Sequence, residues 1–496
     1  MRLIDQVKLD KVPVNLTLSF VMALAGATAL GVLFYGKLLI GGSLFVALMI
    51  VVAAALSGNA RLFFLMGLIL SLPLDLSKYF KPYPHFGGEW AIRIEASDLF
   101  LVVLLGYWLV EVIGKKRKPF RFPAEAFFFV VLLVSSLLLA YFSMYKTLAF
   151  YEIIRMVKVG LLYLLLVNTV RSKSQLRVVI LALLAGALLQ CIYGLMQYSG
   201  ISFGLERLGE SGISATELIG RETASRVGAM LGHPNMFASY LVMLLPFSLT
   251  LLFVPGPFLQ RSLAGAVMVT GSVALVLTLS RGGWIGFAFG VVAVYFMATV
   301  LRRLRLKGIG IRVALLVMLG SVGFAFFGKI MDKFTLSDPG SVSSRWELME
   351  IAYKMIKENP WFGVGLNAFT FVMEDYDQSG IVWGKMLPPV HNIYLLLWSE
   401  QGSLVFAAIV LLLLTVLVSS FRNLRCRDPY LLAANVGLGI GFLSVLIQAL
   451  ADWTLKANTV QRVFWTFAAL IAVIRYLCKE EELASAVQSA SREEPS

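Results

Sequence analysis

Apolar stretches long enough to cross a bilayer recur along almost the whole chain, and nothing else in the sequence restricts the fold as strongly. About 20 apolar residues wound as a helix match the thickness of the hydrocarbon core. Inside that core no water satisfies backbone N–H and C=O groups, so the crossing segments must satisfy them internally, as helices do. The expected fold class is all-α: one polytopic membrane helix bundle. Of the 496 residues 59% are hydrophobic and 15% charged, and the mean hydropathy is +0.82. An ordinary soluble enzyme, with a charged fraction near ~25%, is excluded.

Charge and Pro/Gly breaks bound spans near 14–34, 37–56, 60–74, 98–114, 125–143, 149–168, 175–197, 235–254, 262–280, 283–301, 311–328, 392–420, 430–450 and 459–478. That makes about fourteen transmembrane helices, or twelve if the short ones are re-entrant. Residues 1–478 then form a single integral-membrane domain. The polar, Ser- and Glu-rich segment 479–496 reads as a cytoplasmic disordered tail.

The excess of 43 Lys+Arg over 29 Asp+Glu gives a net charge of +14. In a soluble protein this would suggest nucleic acid; here the basic residues cluster in short loops, and no nucleic-acid partner is expected. Lys115, Lys116, Arg117, Lys118 and Arg121 form one cluster, and Arg302, Arg303, Arg305, Lys307 and Arg312 another. Positive loops resist translocation, so these mark the cytoplasmic side. Alternation from there puts 169–175, 255–261, 421–429 and both termini inside as well. The opposite face receives 75–97, 198–234, 329–391 and 451–458, where acids match or exceed bases.

Three cysteines make no disulfide framework. Cys191 lies in an apolar run, while Cys426 and Cys478 adjoin basic, cytoplasmic segments, so not even one bridge is expected. Lys8 and Lys11 before Val14 to Phe34, with Ala25-Gly26-Ala27, resemble a signal peptide; the apolar run continues past that point, and a retained first helix is expected.

Two outer segments, 198–234 and 329–391, are too long to be simple connectors. In the larger, Ser344 and Glu347 form a capping box that predicts a helix from Arg345 to about Glu358, supported by Glu350/Lys354 and Lys354/Glu358 pairs and ended by Pro360 and Gly363. Trp346, Met349, Tyr353 and Ile356 make an apolar stripe, expected to pack on the bundle, with the outer interface as the alternative. Gly363-Val364-Gly365 lacks the third glycine of a dinucleotide fingerprint, and neither a Walker loop nor a metal-binding His pair is present. No metal and no cofactor are expected.

The candidate site residues lie on the outer side. His391 stands where the large loop enters a helix, followed by Asn392 and Tyr394. An imidazole there can take a proton from a hydroxyl without a metal, or merely bond a loop carbonyl. Arg281 is an isolated cation between two apolar spans, in Leu279-Ser280-Arg281-Gly282-Gly283-Trp284. Its planar guanidinium suits diphosphate oxygens; the alternative is snorkelling to headgroups. Arg221 and Arg226 precede Gly232-His233-Pro234-Asn235, a turn leading into the next span, with Arg226 close to the first-turn amides and His233 expected to fix the turn. Glu152, Arg155 and Lys158 share one helix face; the first two can neutralise each other, and the surplus Lys158 favours a buried anion site. Asp452, with Trp453 and Lys456, either orients an arginine or ends its helix. The cations Arg155, Lys158, Arg221, Arg226, Arg281 and Arg345 thus converge on one leaflet with one proton acceptor, a combination that fits transfer from an anionic, diphosphate-bearing lipid at the outer membrane surface.

Ser344-Arg345-Trp346, Asn359-Pro360-Trp361-Phe362-Gly363-Val364-Gly365, His391-Asn392-Ile393-Tyr394 and Glu400-Gln401-Gly402 together resemble the signature region of the O-antigen ligase and polymerase superfamily. Arg226 with His233-Pro234-Asn235, and Ser280-Arg281-Gly282, match its two upstream outer-face arginine motifs. The resemblance covers about 220 to 460. It implies a GT-C-like, metal-independent, inverting glycosyltransferase of the bacterial cytoplasmic (inner) membrane that uses an undecaprenyl-diphosphate-linked glycan. By position, Arg226 and Arg281 would hold the diphosphate, His391 would activate the acceptor hydroxyl, and Arg345 would add to the anion site or organise the loop. A ligase with a lipid A-core acceptor leads; a polymerase joining repeat units is the alternative, and a lipid-linked-sugar transporter the third. The partners expected are that donor, a lipid or glycan acceptor, and membrane lipids.

Overall fold

Leu-, Val- and Phe-rich segments, most of them opened by a capping or proline residue, wind into helices whose lengths follow the apolar runs. The computed structural model describes residues 59–83, 87–114, 119–201, 226–252, 254, 256–301, 339–382 and 388–493. The spans expected at 14–34, 37–56 and 311–328, the retained first helix, the basic residues at 115–118 and 302–312, and Arg221 lie outside them. In order, the described helices are α1 (Ala60–Ser71), α2 (Ala96–Ile113), α3 (Ala124–Phe142), α4 (Lys146–Thr169), α5 (Lys173–Tyr198), α6 (Pro234–Leu252), α7 (Phe258–Leu277), α8 (Arg281–Val300), α9 (Pro339–Glu358), α10 (Phe369–Val372), α11 (Ile393–Arg422), α12 (Pro429–Gln448) and α13 (Asn458–Glu493). Between α1 and α2 an antiparallel pair, β1 (Ser77–Phe80) and β2 (Ile92–Glu95), sets Ser77 opposite Glu95 and Phe80 opposite Ile92. Nine of the described helices are long and apolar enough to cross a membrane, as an all-α polytopic bundle requires. The expected span at 60–74 is only the 12-residue α1.

The core is built on α6, α12 and α13, which bury most of their surface, while α2, α3 and α8 present bulky apolar side chains outward. α8 approaches α6 and α12 along a line of small residues. At Gly286 a side chain would press on the Ser444 carbonyl, and at Gly290 on Pro246 and Ser444. In lipid, where apolar surfaces gain little by meeting, such close backbone contact is what holds helices together.

α11 is broken at Gly402 (φ 71°, ψ 175°). Helical hydrogen bonds lost there are replaced from the 360–365 turn: Val364 N–H donates to the Ser399 carbonyl at 2.8 Å, Gly365 N–H to that of Glu400 at 3.1 Å, and Ser403 N–H to that of Pro360 at 2.8 Å. The join leaves no room for side chains, since a Cβ on Gly402 would fall on the Trp361 carbonyl and one on Gly363 on the Glu400 peptide. The outer loop is thereby bolted to α11. Gly402→Ala combines a backbone region nearly restricted to glycine with overlap, and should cost on the order of 2–5 kcal/mol. A thermal midpoint equal to that of the parent protein would refute this.

Four local expectations are corrected. α9 starts at Pro339, so Ser344 lies within it rather than capping it. Its buried face is Leu348, Ile351, Ala352 and Met355, with Ile356; Trp346 and Tyr353 are exposed, because the helix's contact line is set by α11 beneath it and not by the aromatic stripe. The Lys354–Glu350 pair forms at 3.0 Å. α13 continues past Lys479 to Glu493, where composition predicts disorder; good helix formers follow, and Glu480 pairs with the buried Arg121. Finally, Cys426 and Cys478 are disulfide-bonded, with Cα atoms 5.6 Å apart. The side chain of Asn423 donates to the Ile471 carbonyl at 2.9 Å and draws the end of α11 against α13, a proximity that spacing along the chain does not reveal.

Candidate functional site

Several of the candidate residues, Arg281, His233, Asn235, His391 and Asn392, sit at helix starts. Ser280 caps α8, its hydroxyl accepting from the Gly283 amide at 3.4 Å, which puts Arg281 in the first turn. Ahead of α6, Gly232 adopts φ 75° and His233 closes the turn, its Nδ1 accepting from the Asn235 amide at 3.2 Å. Arg226 donates through Nε to the Thr278 carbonyl and through Nη2 to the Asn235 side chain, both at 2.9 Å, while Val227 N–H reaches the Leu277 carbonyl. One arginine therefore ties the start of α6 to the end of α7.

Asn392 caps α11, its side-chain oxygen accepting from the Tyr394 and Leu395 amides and its nitrogen donating to the Leu450 carbonyl at 3.0 Å. Ile393 N–H is shared between the Ala449 and Asp452 carbonyls, and the Tyr394 hydroxyl donates to the Leu446 carbonyl at 2.7 Å. His391 is thus held beside the turn that follows α12, where the buried Asp452 accepts from the Trp453 amide at 2.8 Å. α9, which carries Arg345, packs on α11.

Electrostatics identify these groups as neighbours. Asp452 is pushed up to about 6 by burial, opposed by the Trp453 and Thr454 amides and the charges of Arg345 and Arg226. Burial lowers the Arg345 guanidinium, Asp452 counters it, and Arg281 lowers it further. His391 is lowered to about 4 by burial and by Arg345. His233 falls to about 4 through burial, Arg226 and His391. At neutral pH both imidazoles are uncharged, and Arg226 and Arg345 face the Asp452 carboxylate, with Arg281 beside Arg345. Such a surplus of half-buried positive charge favours an anion. The Nδ1 atom of His391 is buried and has no hydrogen-bond partner among the described residues.

The structure brings together Arg226, His233, Asn235, Arg281, Arg345, His391, Asn392 and Asp452. It places Arg155 and Lys158 elsewhere. Arg155 pairs with Glu152 and donates to the Lys456 carbonyl. Lys158 is not a surplus charge, because it binds Asp98 at 2.5 Å and the Arg93 carbonyl at 2.9 Å. Both belong to a buried band of ion pairs that links Arg93 with Asp75 and Glu95, Arg462 with Glu95 and Asp98, and Lys456 with Glu400. Reasoning from sequence missed these partners, although Asp98, Glu400 and Arg462 were each visible as isolated ions in apolar runs.

Residues 266–410 match the family model described as O-antigen ligase. The match takes in Arg281, Arg345 and His391, supports the O-antigen ligase superfamily, and with it an enzyme of the ligase or polymerase type in a multi-pass membrane protein. No curated protein matches the chain.

Proposed function

We propose that this chain is a membrane glycosyltransferase that moves a glycan from undecaprenyl diphosphate to an acceptor hydroxyl at the outer face of the bacterial cytoplasmic membrane. The observation that carries the reading is the convergence of Arg226, Arg281 and Arg345 on the Asp452 turn, with the uncharged His391 among them. The acceptor hydroxyl oxygen attacks the anomeric carbon from the face opposite the diphosphate. The C–O bond to the diphosphate breaks with inversion, its electron pair leaves on the phosphate oxygen, and the hydroxyl proton passes to His391. The arginines bind the charge that grows on the leaving group. Asp452 holds Arg345 and Arg226 by charge; Asn235 and Asn392 fix the helix starts.

The polarity of His391 changes with occupancy. Burial and Arg345 both hold it low in the free protein. A bound diphosphate neutralises Arg345, which moves the imidazole back toward its ordinary range and makes it a better base. Asp452, at about 6 when free, moves in the same direction. The acid limb of kcat, set by the donor complex, should therefore lie at higher pH than that of kcat/KM, set by the free protein. Coincident limbs would count against His391 as the base.

Transfer itself is tested by reconstitution with undecaprenyl-diphosphate glycan and a lipid A-core acceptor, in EDTA, with products resolved by size. One glycan per acceptor supports the ligase. A ladder of lengthening lipid-linked chains makes the protein a polymerase, and unchanged donor with its native acceptor overturns the proposal.

A further inference from the structure

α9 packs on α11 and buries Leu348, Ile351, Ala352 and Met355, which leaves the opposite line of the helix uncovered. That line reads Trp346, Glu350, Tyr353 and Lys357, and all four are exposed. At about 100° per residue they fall within roughly 60° of one another, with Trp346 and Tyr353 about 10 Å apart along the axis. Trp346 is 66% exposed and Tyr353 63%. Trp361, 60% exposed, follows just past the helix in the turn that is hydrogen-bonded to the α11 break, and Asn359 steadies that turn by donating to the Tyr376 hydroxyl at 2.9 Å.

Large flat rings left open in a row mark a surface that meets something. A helix lying on lipid shows it one unbroken apolar face and keeps its charges on the other. α9 has spent its unbroken apolar face on α11, and the face left open sets Glu350 and Lys357 between the rings. Lipid is the wrong complement to such a row. A sugar is the right one: the C–H face of a pyranose covers an aromatic ring, and the hydroxyls round its rim reach a carboxylate on one side and an ammonium on the other. The row also begins at the anion site. Trp346 directly follows Arg345, whose guanidinium feels the charges of Asp452 and Arg281, so a glycan linked to a diphosphate held there emerges at Trp346.

We infer that the open line of α9 is a glycan-binding track, on which sugar units of the donor stack against Trp346 and Tyr353 and bond through their hydroxyls to Glu350 and Lys357, the chain leaving the reaction site toward Trp361. The track rests on the proposed function, because the arginine cluster must hold the diphosphate for the glycan to start at Trp346. Its rigidity is built in: one face of α9 is packed, its end is tied to α11, and the Glu350 carboxylate is held by Lys354 at 3.0 Å. A surface set before binding loses little freedom when the chain settles on it. A donor whose glycan is long enough to reach Tyr353 is thereby held more tightly than the lipid diphosphate alone.

The test measures binding to the full chain in detergent, without acceptor, of two ligands: undecaprenyl-diphosphate polysaccharide extracted from cells that make the protein, and undecaprenyl diphosphate bearing no sugar. The glycan-bearing lipid should bind more tightly. Trp346→Ser and Tyr353→Ser, both at exposed positions, should each cut that advantage by about fivefold, the worth of one aromatic stack, and leave affinity for the bare lipid unchanged. Tyr353→Trp should keep the advantage, whereas Tyr353→Leu, apolar but without a flat ring, should lose it. Arg281→Ala should weaken both ligands alike and leave their ratio intact, so failure of the anion site shows in the bare lipid and failure of the track in the ratio. A nitroxide on Lys357→Cys in nanodiscs should collide with a water-soluble nickel chelate. Equal affinity of the parent protein for the two ligands, a ratio indifferent to Trp346→Ser and Tyr353→Ser, or a nitroxide reached by dissolved oxygen and shielded from nickel, as on a helix sunk in lipid, would overturn the track.

Discussion

His391→Ala is expected to lower glycan transfer by about 10²–10⁴-fold, the usual contribution of a positioned general base, while donor binding and thermal stability stay close to the parent values. The cap of α11 is made by Asn392 and its anchoring by Ile393 N–H, so the helix start does not depend on the imidazole. His391 is uncharged at neutral pH and its Nδ1 bonds to nothing among the described residues. Removing it therefore takes away a proton acceptor and little else. His391→Gln, which keeps a hydrogen-bonding side chain but accepts no proton at these pH values, should be nearly as slow. Retained activity in the glutamine variant would reduce the imidazole to a hydrogen-bonding role, and loss of donor binding in the alanine variant would move it into the anion site.

Arg281→Ala should cost about 10²–10³-fold in kcat/KM, as loss of one charge-stabilising donor does, and Arg281→Lys should restore little, because an ammonium cannot offer the planar fork that spans two phosphate oxygens. The contrast with Arg226 makes this a clean experiment. Arg226 binds the Thr278 carbonyl and Asn235, so its loss disturbs the junction of α6 and α7 as well as the charge. The Arg281 side chain makes no hydrogen bond or ion pair among the described residues, and the helix it starts is capped by Ser280. An equal fall in stability for both variants would mean that Arg281 also has a structural job. Full activity of Arg281→Ala would leave the anion to Arg226 and Arg345.

Membership of the site was legible where residues stand at the boundary between an apolar run and a polar turn. Arg281, His233, Asn235, His391 and Asn392 all mark helix starts, and the cap that fixes each start also fixes the residue. Arg345 was legible for a different reason, through its place in a polar outer loop, although the helix carrying it begins earlier than the apparent capping box. Arg155 and Lys158 show the limit. Their spacing put them on one face, yet whether Lys158 is surplus depends on Asp98, which α2 brings from a distant part of the chain.

The sequence by itself determined that the chain is helical and membrane-spanning, because hydrocarbon admits no unsatisfied backbone and the lengths of the apolar runs follow from bilayer thickness alone. It also determined which residues stand at the helix starts, since caps and turns are local chemistry. Only the tertiary structure decided which charges meet. The meeting of Arg226 and Arg345 with Asp452, the closure of the α11 break by the 360–365 turn, the Cys426–Cys478 bond and the buried band of ion pairs all join residues far apart in sequence. Coulombic attraction and hydrogen bonding act through space at a few ångströms, and helix packing sets those distances.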